Sequence, residues 1–298
     1  MTVVSENRIF RAGLVQMCSG RDVRKNVSDA LELISAAAAQ GADYIQTPEV
    51  TTLMELERAR LMAELTPEEG NSALAAFTDA ARRLRVWLHI GSMGVKVADN
   101  RIANRSYLIS PDGRIAARYD KIHMFDVDLG NGDVYCESVS YAGGSKAVIA
   151  DLPWGPLGMT ICYDLRFPAL HRALAQGGAK FLAAPAAFTR ITGEAHWHVL
   201  LRARAIEAQS FVFAAGQGGR HENGRETYGH SLIVSPWGQV LADGGAGPGV
   251  VTADIDLAIL DDVRRRVPSL KHDRQFEVMR AEDTDMPVSG DDRAPVAS

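Results

Sequence analysis

The chain has 298 residues, 46% of them hydrophobic and 23% charged, which is enough apolar material for one large globular domain or two ordinary ones. Its formal net charge is −5 and its sequence pI is about 5.9, which argues against binding to nucleic acid or to an anionic membrane surface. No stretch reaches membrane-spanning length without charges, and residues 1–10 lack an apolar run after a basic start, so we expect neither a membrane span nor a signal peptide.

The first third of the chain mixes strand and helix patterns. Residues 9–17 and 42–46 have the composition of strands, and residues 26–39 carry apolar side chains at helical spacing until Gly41 ends the pattern. This order predicts a βαβ unit with a right-handed crossover. Further predicted elements are helices at 53–65 and 71–85, a strand at 86–92, and a hairpin of strands 103–110 and 114–119 around Pro111-Asp112-Gly113.

Residues 120–144 show little periodicity, and a loop of this length inside a domain is usually functional or disordered. Because βαβ patterns and hairpins both occur, we predict an α/β fold of two mixed sheets packed face to face with helices outside. Residues 1–268 form the predicted domain, and residues 269–298 form an extension with an expected mobile tail at 282–298. The second half contains predicted strands at 147–152, 157–161, 179–184, 211–216, 231–235, 239–242 and 249–255, and helices at 169–176, 194–209 and 256–266.

Three chemically useful side chains lie where predicted strands end. Glu49 follows the strand at 42–46, Lys121 follows the strand at 114–119, and Cys162 follows the strand at 157–161. Side chains at strand ends converge above a sheet. A carboxylate could take the thiol proton, and an ammonium could favour the thiolate and stabilise an oxyanion together with the backbone N–H after the cysteine. Taken singly, Glu49 could equally be a helix cap, Lys121 a solvated loop residue and Cys162 a buried cysteine that only packs.

The cysteines and histidines argue against a disulfide framework and against a metal site. Cys18, Cys136 and Cys162 are an odd and sparse set, which fits a reducing cytoplasm. The eight histidines show no HExxH or Cys/His ligand spacing, so we expect no metal and no other cofactor.

Three ordered motifs make the chain resemble the nitrilase superfamily of carbon–nitrogen hydrolases. They are Thr47-Pro48-Glu49, Tyr119-Asp120-Lys121-Ile122-His123 and the run from Cys162 to Pro168, Cys-Tyr-Asp-Leu-Arg-Phe-Pro. The resemblance covers residues from the first strand to about Pro268. It implies a four-layer α-β-β-α sandwich and homodimers, or higher homo-oligomers, that pair through an outer helical layer.

The resemblance also implies roles for four side chains. Glu49 would be the general base and acid, Lys121 the oxyanion stabiliser and Cys162 the nucleophile. Glu137, in the loop between the lysine and cysteine motifs, would position the lysine or the substrate, although ordinary loop solvation explains it almost as well.

The residues around the cysteine favour an amide over a nitrile. Tyr163 follows the cysteine where nitrilases usually have tryptophan, and the motifs are similar to those of the deaminated-glutathione amidase and omega-amidase branch. The implied reaction is hydrolysis of a small carboxylate-bearing amide such as deaminated glutathione or 2-oxoglutaramate. Tyr163, Arg166 and Arg190 are candidate substrate-binding residues, since a guanidinium binds a carboxylate in a bidentate manner.

Several alternatives remain open at this stage. Arg166 could instead form a structural ion pair with Asp164 or a neighbouring helix. N-carbamoyl-amino-acid hydrolysis is the second candidate activity, and a non-catalytic oligomeric scaffold is a third.

Overall fold

Two mixed β-sheets stacked face to face form the centre of the molecule, in a computed structural model that describes residues 8–98, 100–130, 132 and 134–280. The mobile tail expected over residues 282–298 lies outside the described residues. Within the described ranges, no helix combines the length and the apolar character needed to cross a bilayer.

The first sheet has seven strands and is parallel at its centre. Ile9–Gln16, Tyr44–Gln46 and Trp87–Ala98 run parallel to one another, as the predicted βαβ unit requires. The flanking strands are antiparallel, apart from the short strand Tyr141–Ala142, which pairs in parallel with Arg101–Ile109. The order across the sheet is Gly249–Asp256, Ile9–Gln16, Tyr44–Gln46, Trp87–Ala98, Arg101–Ile109 and Ile115–Asp120.

The second sheet has six strands and follows the same plan. Its three central strands are parallel, and an antiparallel strand flanks them on either side. The order across the sheet is Val240–Asp243, Leu232–Val234, Phe211–Ala214, Phe181–Ala183, Gly155–Met159 and Val148–Leu152.

Helices cover the outer face of each sheet, which completes the four layers. Val23–Ala39 and Ser72–Leu84 pack on the first sheet, and Pro168–Gln176 and His198–Ala208 pack on the second. Between the sheets, the ring of Phe10 meets aromatic rings of the second sheet, and these buried rings join the two inner faces. The predicted α-β-β-α sandwich is therefore confirmed.

Shorter elements complete the described chain. Two small hairpins lie at the rim of the sandwich, and several single turns connect the larger elements. These are the hairpins Asp126–Asp128 with Val134–Cys136 and Gly218–Arg220 with Glu226–Tyr228, the helices Arg58–Glu64, Arg190–Thr192 and Leu257–Arg266, the 3-10 turns Glu137–Val139, Cys162–Arg166 and Ser269–Lys271, and the π-helical turn Gly193–Trp197.

The helix predicted over residues 53–65 is shorter in the structure and begins only at Arg58. The Met54 N–H donates to Gly20 O, and the Glu55 carboxylate accepts the N–H groups of Leu56 and Glu57. These bonds occupy backbone N–H groups ahead of the first helical turn, as side-chain acceptors often do near helix starts. The irregular segment that results lines a cavity above the sheets.

Candidate active site

A tight turn after the strand Tyr44–Gln46 places Glu49 inside the protein. The Glu49 residue is only 4% exposed, and its Oε2 accepts the Ala187 N–H at 2.9 Å. Gly91 on the neighbouring strand makes room for this turn, since a Cβ there would lie 2.1 Å from Thr47 O. The close approach of two backbones is therefore what fixes the position of the carboxylate.

Lys121 follows the strand Ile115–Asp120 and is buried between two carboxylates. Its Nζ lies 2.8 Å from Glu49 Oε1 and 2.7 Å from Glu137 Oε2. The structure thus brings together three of the residues predicted from sequence, although they are distant in the chain.

Asn104 bridges the two carboxylates. Its Nδ2 donates to Glu49 Oε1 at 3.0 Å and to Glu137 Oε1 at 3.1 Å. The Phe125 N–H also donates to Glu137 Oε2, at 2.7 Å. Every donor in this arrangement faces a negative oxygen, so the carboxylates are fixed in position despite their burial.

Cys162 begins the 3-10 turn Cys162–Arg166, just beyond the strand Gly155–Met159. Its φ is +49°, a left-handed conformation that is uncommon for a residue with a side chain, and its N–H donates to Pro185 O at 2.8 Å. Strained backbone of this kind clusters at functional sites. The residue is 6% exposed, and its thiol is close enough to Glu49 for the two groups to shift each other's pKa.

Asp164 fixes the turn that carries the cysteine, and the sequence analysis did not identify this role. Its buried carboxylate accepts the Tyr119 hydroxyl at 2.7 Å, the Ile161 N–H at 2.9 Å and the His123 N–H at 3.0 Å. The His123 ring nitrogen Nδ1 lies 2.7 Å away as well. The two motifs that contain Lys121 and Cys162 are therefore joined directly through Asp164.

The ionisation of the three central groups is coupled. Burial alone would raise the pKa of Glu49, but the charge and hydrogen bonds of its neighbours, Lys121 foremost, lower that pKa below its usual value. Burial alone would lower the pKa of Lys121, but Glu137 and Glu49 raise it well above its usual value. The pair is therefore an ammonium and a carboxylate at neutral pH.

The Cys162 thiol differs from the sequence-based expectation. Lys121 lowers the thiol pKa, as expected, but burial and the negative charge of Glu49 outweigh it and raise the pKa well above its usual value. The predicted effect of Lys121 therefore has the expected direction, but desolvation and the Glu49 carboxylate, which the prediction did not include, exceed it. Cys162 therefore carries a neutral thiol beside a carboxylate that can accept its proton.

These groups line a cavity of about 320 Å³, a volume that suits a small molecule. Tyr163 and Arg166 also line it. The Arg166 guanidinium lies 5.3 Å from the Phe188 ring centre and 3.3 Å from His196 Nδ1. Arg166 has no carboxylate partner among the described residues, so the alternative ion pair with Asp164 is not found there.

Arg190 lies elsewhere. Its side chain is 54% exposed and forms ion pairs with Glu226 at 2.8 Å and Glu194 at 3.0 Å, and it is not among the cavity-lining residues. Arg225, which the sequence analysis did not identify, lines the cavity instead. Arg225 lies in the turn between the strands Gly218–Arg220 and Glu226–Tyr228, and the sequence gives no sign of the direction of its side chain.

One group of side chains outside the cavity has the chemistry of metal ligands. The ligand atoms of His198, His230 and Asp243 lie within 4.8 Å of one another. Both rings hydrogen-bond to the Asp243 carboxylate, at 3.2 Å and 2.9 Å. These bonds account for the cluster without an ion.

Comparisons with known proteins agree with this geometry. A family model described as carbon–nitrogen hydrolase matches residues 11–265. The chain is 39% identical over 266 residues to a Yersinia enterocolitica protein named deaminated glutathione amidase, which covers 88% of this chain and 92% of that protein. A human protein of the same name is 40% identical over 264 residues, with 87% of this chain and 80% of the human one covered. Among solved structures, the NitFhit protein of C. elegans superposes with a TM-score of 0.83 at 34% identity, over 89% of this chain and 65% of that longer chain.

The family match and the similarity to these relatives both extend over most of the described chain. They confirm the resemblance that the three ordered motifs indicated. The chain therefore belongs to the carbon–nitrogen hydrolase family of enzymes.

Proposed function

We propose that this protein is an amidase that hydrolyses a small carboxylate-bearing amide of the deaminated-glutathione type through a thioester on Cys162. The observation that carries the proposal is the buried ion pair of Glu49 and Lys121 beside the Cys162 thiol, all three lining one cavity. The relatives that share the family are named for amide hydrolysis, which supports the same reaction.

In the first step, Glu49 takes the proton from the Cys162 sulfur as the sulfur attacks the amide carbon. A C–S bond forms, and the carbonyl oxygen becomes an oxyanion. The Lys121 ammonium and the Tyr163 N–H, which lies in the first turn of its 3-10 segment, are the donors to that oxyanion.

In the second step, the C–N bond breaks and Glu49 passes its proton to the leaving nitrogen, which departs as ammonia or an amine. A water molecule then loses a proton to Glu49 and attacks the thioester carbon. The C–S bond breaks, the acid is released and the thiol regains its proton.

Glu137 acts in this scheme as a positioning residue. It binds Lys121 Nζ at 2.7 Å and does not itself take a proton in this scheme. Two carboxylates keep the ammonium charged in a buried site, so that a full positive charge meets the oxyanion.

A release screen over matched substrates tests the proposal. We expect ammonia or amine release from deaminated glutathione, 2-oxoglutaramate or succinamate, and complete loss of turnover with Cys162→Ala at unchanged folding. Full activity of Cys162→Ala would refute the nucleophile. Carbon dioxide released along with ammonia from N-carbamoyl amino acids would instead support the alternative activity, which the named relatives do not favour.

We also propose that the protein forms a homodimer through its outer helices and acts in the cytoplasm. Val199 and Ile206, on one face of the helix His198–Ala208, are 67% and 51% exposed. Trp237 is 52% exposed, and Gly238, next to it in sequence, packs against Ile206. All three cysteines are free, which fits a reducing compartment. Light scattering of the wild type against Val199→Glu/Ile206→Glu tests the dimer: a monomeric wild type would contradict it.

A further inference from the structure

Two histidines and an aspartate meet at the edge of the second sheet, and none of them lines the catalytic cavity. His198 begins an outer helix, Asp243 ends the strand at the sheet edge, and His230 lies in the connection between two other strands. The three side chains are partly exposed, so solvent and dissolved ions can reach them. Three separate elements therefore bring together groups that are the usual ligands of a transition-metal ion.

One oxygen of Asp243 lies at a distance from both rings that matches a tetrahedral metal site. Asp243 Oδ2 lies 3.2 Å from His198 Nε2 and 3.1 Å from His230 Nδ1. One ligand atom from each of the three residues lies within 4.8 Å of the other two. Ligand bonds of about 2.0–2.1 Å at tetrahedral angles place neighbouring ligand atoms roughly 3.3–3.4 Å apart. An ion of this kind therefore fits among the three groups with only small movements.

The surrounding backbone and one aromatic ring hold His230 and Asp243 in place. His230 has a φ of +50°, its N–H donates to Gly245 O at 2.6 Å, and its carbonyl oxygen accepts the Trp197 Nε1–H at 2.7 Å. The Tyr228 ring stacks on the His230 ring with the ring centres 4.4 Å apart. The Gly245 N–H also donates to Asp243 Oδ1, at 2.8 Å. Hydrogen bonds of this kind orient the ligands at metal sites, and a left-handed residue with a side chain is a strain that clusters at functional sites.

The protonation of the three groups suits a cation at neutral pH. Burial would raise the pKa of Asp243, but the Gly245 N–H and the two histidine rings outweigh it and hold that pKa below its usual value. Within the described ranges, His198 Nδ1 and His230 Nε2 have no hydrogen-bond partner in the protein. Each neutral ring can therefore carry its proton on that nitrogen, where water can accept it, and present a lone pair to a cation.

We propose that His198, His230 and Asp243 form a zinc-binding site, with water as the fourth ligand. Two imidazole nitrogens and one carboxylate suit Zn²⁺, whereas Ca²⁺ and Mg²⁺ prefer oxygen ligands throughout. Without the ion, the hydrogen bonds between the rings and the carboxylate keep the same groups together. The site lies outside the cavity that contains Cys162, so the inference does not depend on the proposed amide hydrolysis.

Calorimetric titration of the untagged, metal-free protein with Zn²⁺ tests the site, in the Cys162→Ala background that removes the catalytic thiol as a ligand. We expect one equivalent to bind with a Kd of about 10 µM or lower. His198→Ala, His230→Ala and Asp243→Ala should each weaken binding by at least about 100-fold, because losing a group that only orients a ligand already costs about 10- to 100-fold. The control His272→Ala removes an exposed histidine outside the cluster and should bind as the parent does. Mg²⁺ should not bind at this site.

Two further measurements separate this site from thiol ligands and from a loss of folding. Co²⁺ in place of Zn²⁺ should give the visible absorption of a cobalt site without the charge-transfer band that a thiolate ligand would add. Zn²⁺ should raise the urea midpoint of the parent protein, because it binds the folded chain, and should leave the midpoint of His198→Gln unchanged. Glutamine keeps a hydrogen-bonding group beside Asp243, and the midpoint of this variant without Zn²⁺ checks that it is folded.

Parent-like Zn²⁺ affinity in any of the three alanine variants would overturn the inference, and so would a thiolate band in the Co²⁺ spectrum. A rise in the urea midpoint of folded His198→Gln equal to that of the parent would overturn it too. If the parent binds no Zn²⁺ at about 100 µM of the free ion, the three residues form only a hydrogen-bonded cluster and the inference is wrong. None of these measurements uses a substrate, so the failure of amide hydrolysis would not affect them.

Discussion

Replacing Asn104 by leucine should destabilise the protein and impair catalysis together. The Asn104 amide donates to Glu49 at 3.0 Å and to Glu137 at 3.1 Å, and the residue is 1% exposed. Leucine has the same number of side-chain heavy atoms and the same branching but no donor, so the change removes two hydrogen bonds without opening a cavity. Glu137 Oε1 would keep no donor among the described residues, whereas Glu49 Oε1 would keep Lys121.

The size of the effect follows from the charge of the acceptors. A hydrogen bond to a charged group contributes about 1.5–3 kcal/mol, so two of them sum to about 3–6 kcal/mol. Water can replace part of the lost hydrogen bonding at Glu137, whose side chain is 13% exposed. The expected loss in the free energy of unfolding is therefore about 2–4 kcal/mol. A displacement of the Glu49 carboxylate should also lower kcat by about 100-fold.

Urea unfolding and steady-state kinetics measure the two effects. The matched control is Asn71→Leu, because Asn71 also makes two side-chain hydrogen bonds, but to neutral groups at the surface. The Asn71→Leu variant should lose about 1 kcal/mol in the free energy of unfolding and keep its activity. The reasoning is refuted if Asn104→Leu is no less stable than Asn71→Leu and retains more than half of the wild-type kcat.

Three further changes have defined outcomes. Gly91→Ala should abolish turnover, because a Cβ there would lie 2.1 Å from a backbone oxygen of the turn that leads to Glu49, and wild-type activity would mean that the turn has room. Lys121→Met should lower kcat by about 10²–10³-fold. It should also slow iodoacetamide alkylation of Cys162 near neutral pH, since Lys121 favours the thiolate, and equal alkylation rates would contradict this. Burial lowers the pKa of His89 to about 3 from an ordinary 6.5, so the unfolded state binds the proton first and stability falls as the pH drops below 6.5. The expected loss between pH 7 and pH 5 is about 2 kcal/mol, and His89→Gln should lack that part of the pH dependence in urea titrations.

The proximity of Glu49, Lys121 and Cys162 could be predicted because all three residues follow strand ends. Glu49, Lys121 and Cys162 each follow an apolar run, and the convergence of strand ends above a sheet is a general property of α/β folds. The order of the motifs then indicated the family. Hydrophobic periodicity likewise located most strands, because each is buried on at least one face.

Residues within strands and loops could not be predicted in the same way. Asn104 lies inside the strand Arg101–Ile109 as the first of three consecutive polar residues, Asn-Arg-Ser, and nothing in the sequence distinguishes it from the other two. Arg190 and Arg225 are both arginines in polar surroundings in the sequence. Only the folded chain shows that two glutamates neutralise the first, while the hairpin around the second turns it into the cavity.

The sign of the shift in the Cys162 thiol pKa could not be predicted from the sequence either. A lysine near a cysteine suggests a thiolate, but the outcome depends on how deeply the sulfur is buried and on which charge is nearer. With Cys162 6% exposed and Glu49 beside it, desolvation and repulsion exceed the effect of Lys121. In the proposed mechanism, the thiol therefore loses its proton during attack on the substrate rather than beforehand.

The central claim is a covalent acyl group on Cys162, and rapid acid quenching followed by mass spectrometry tests it most directly. During turnover of an amide substrate, we expect the peptide that contains Cys162 to gain the mass of the acyl group less one hydrogen, and Cys162→Ala to show neither the adduct nor turnover. Turnover by Cys162→Ala, or an acyl group found on another residue of an active enzyme, would contradict the account.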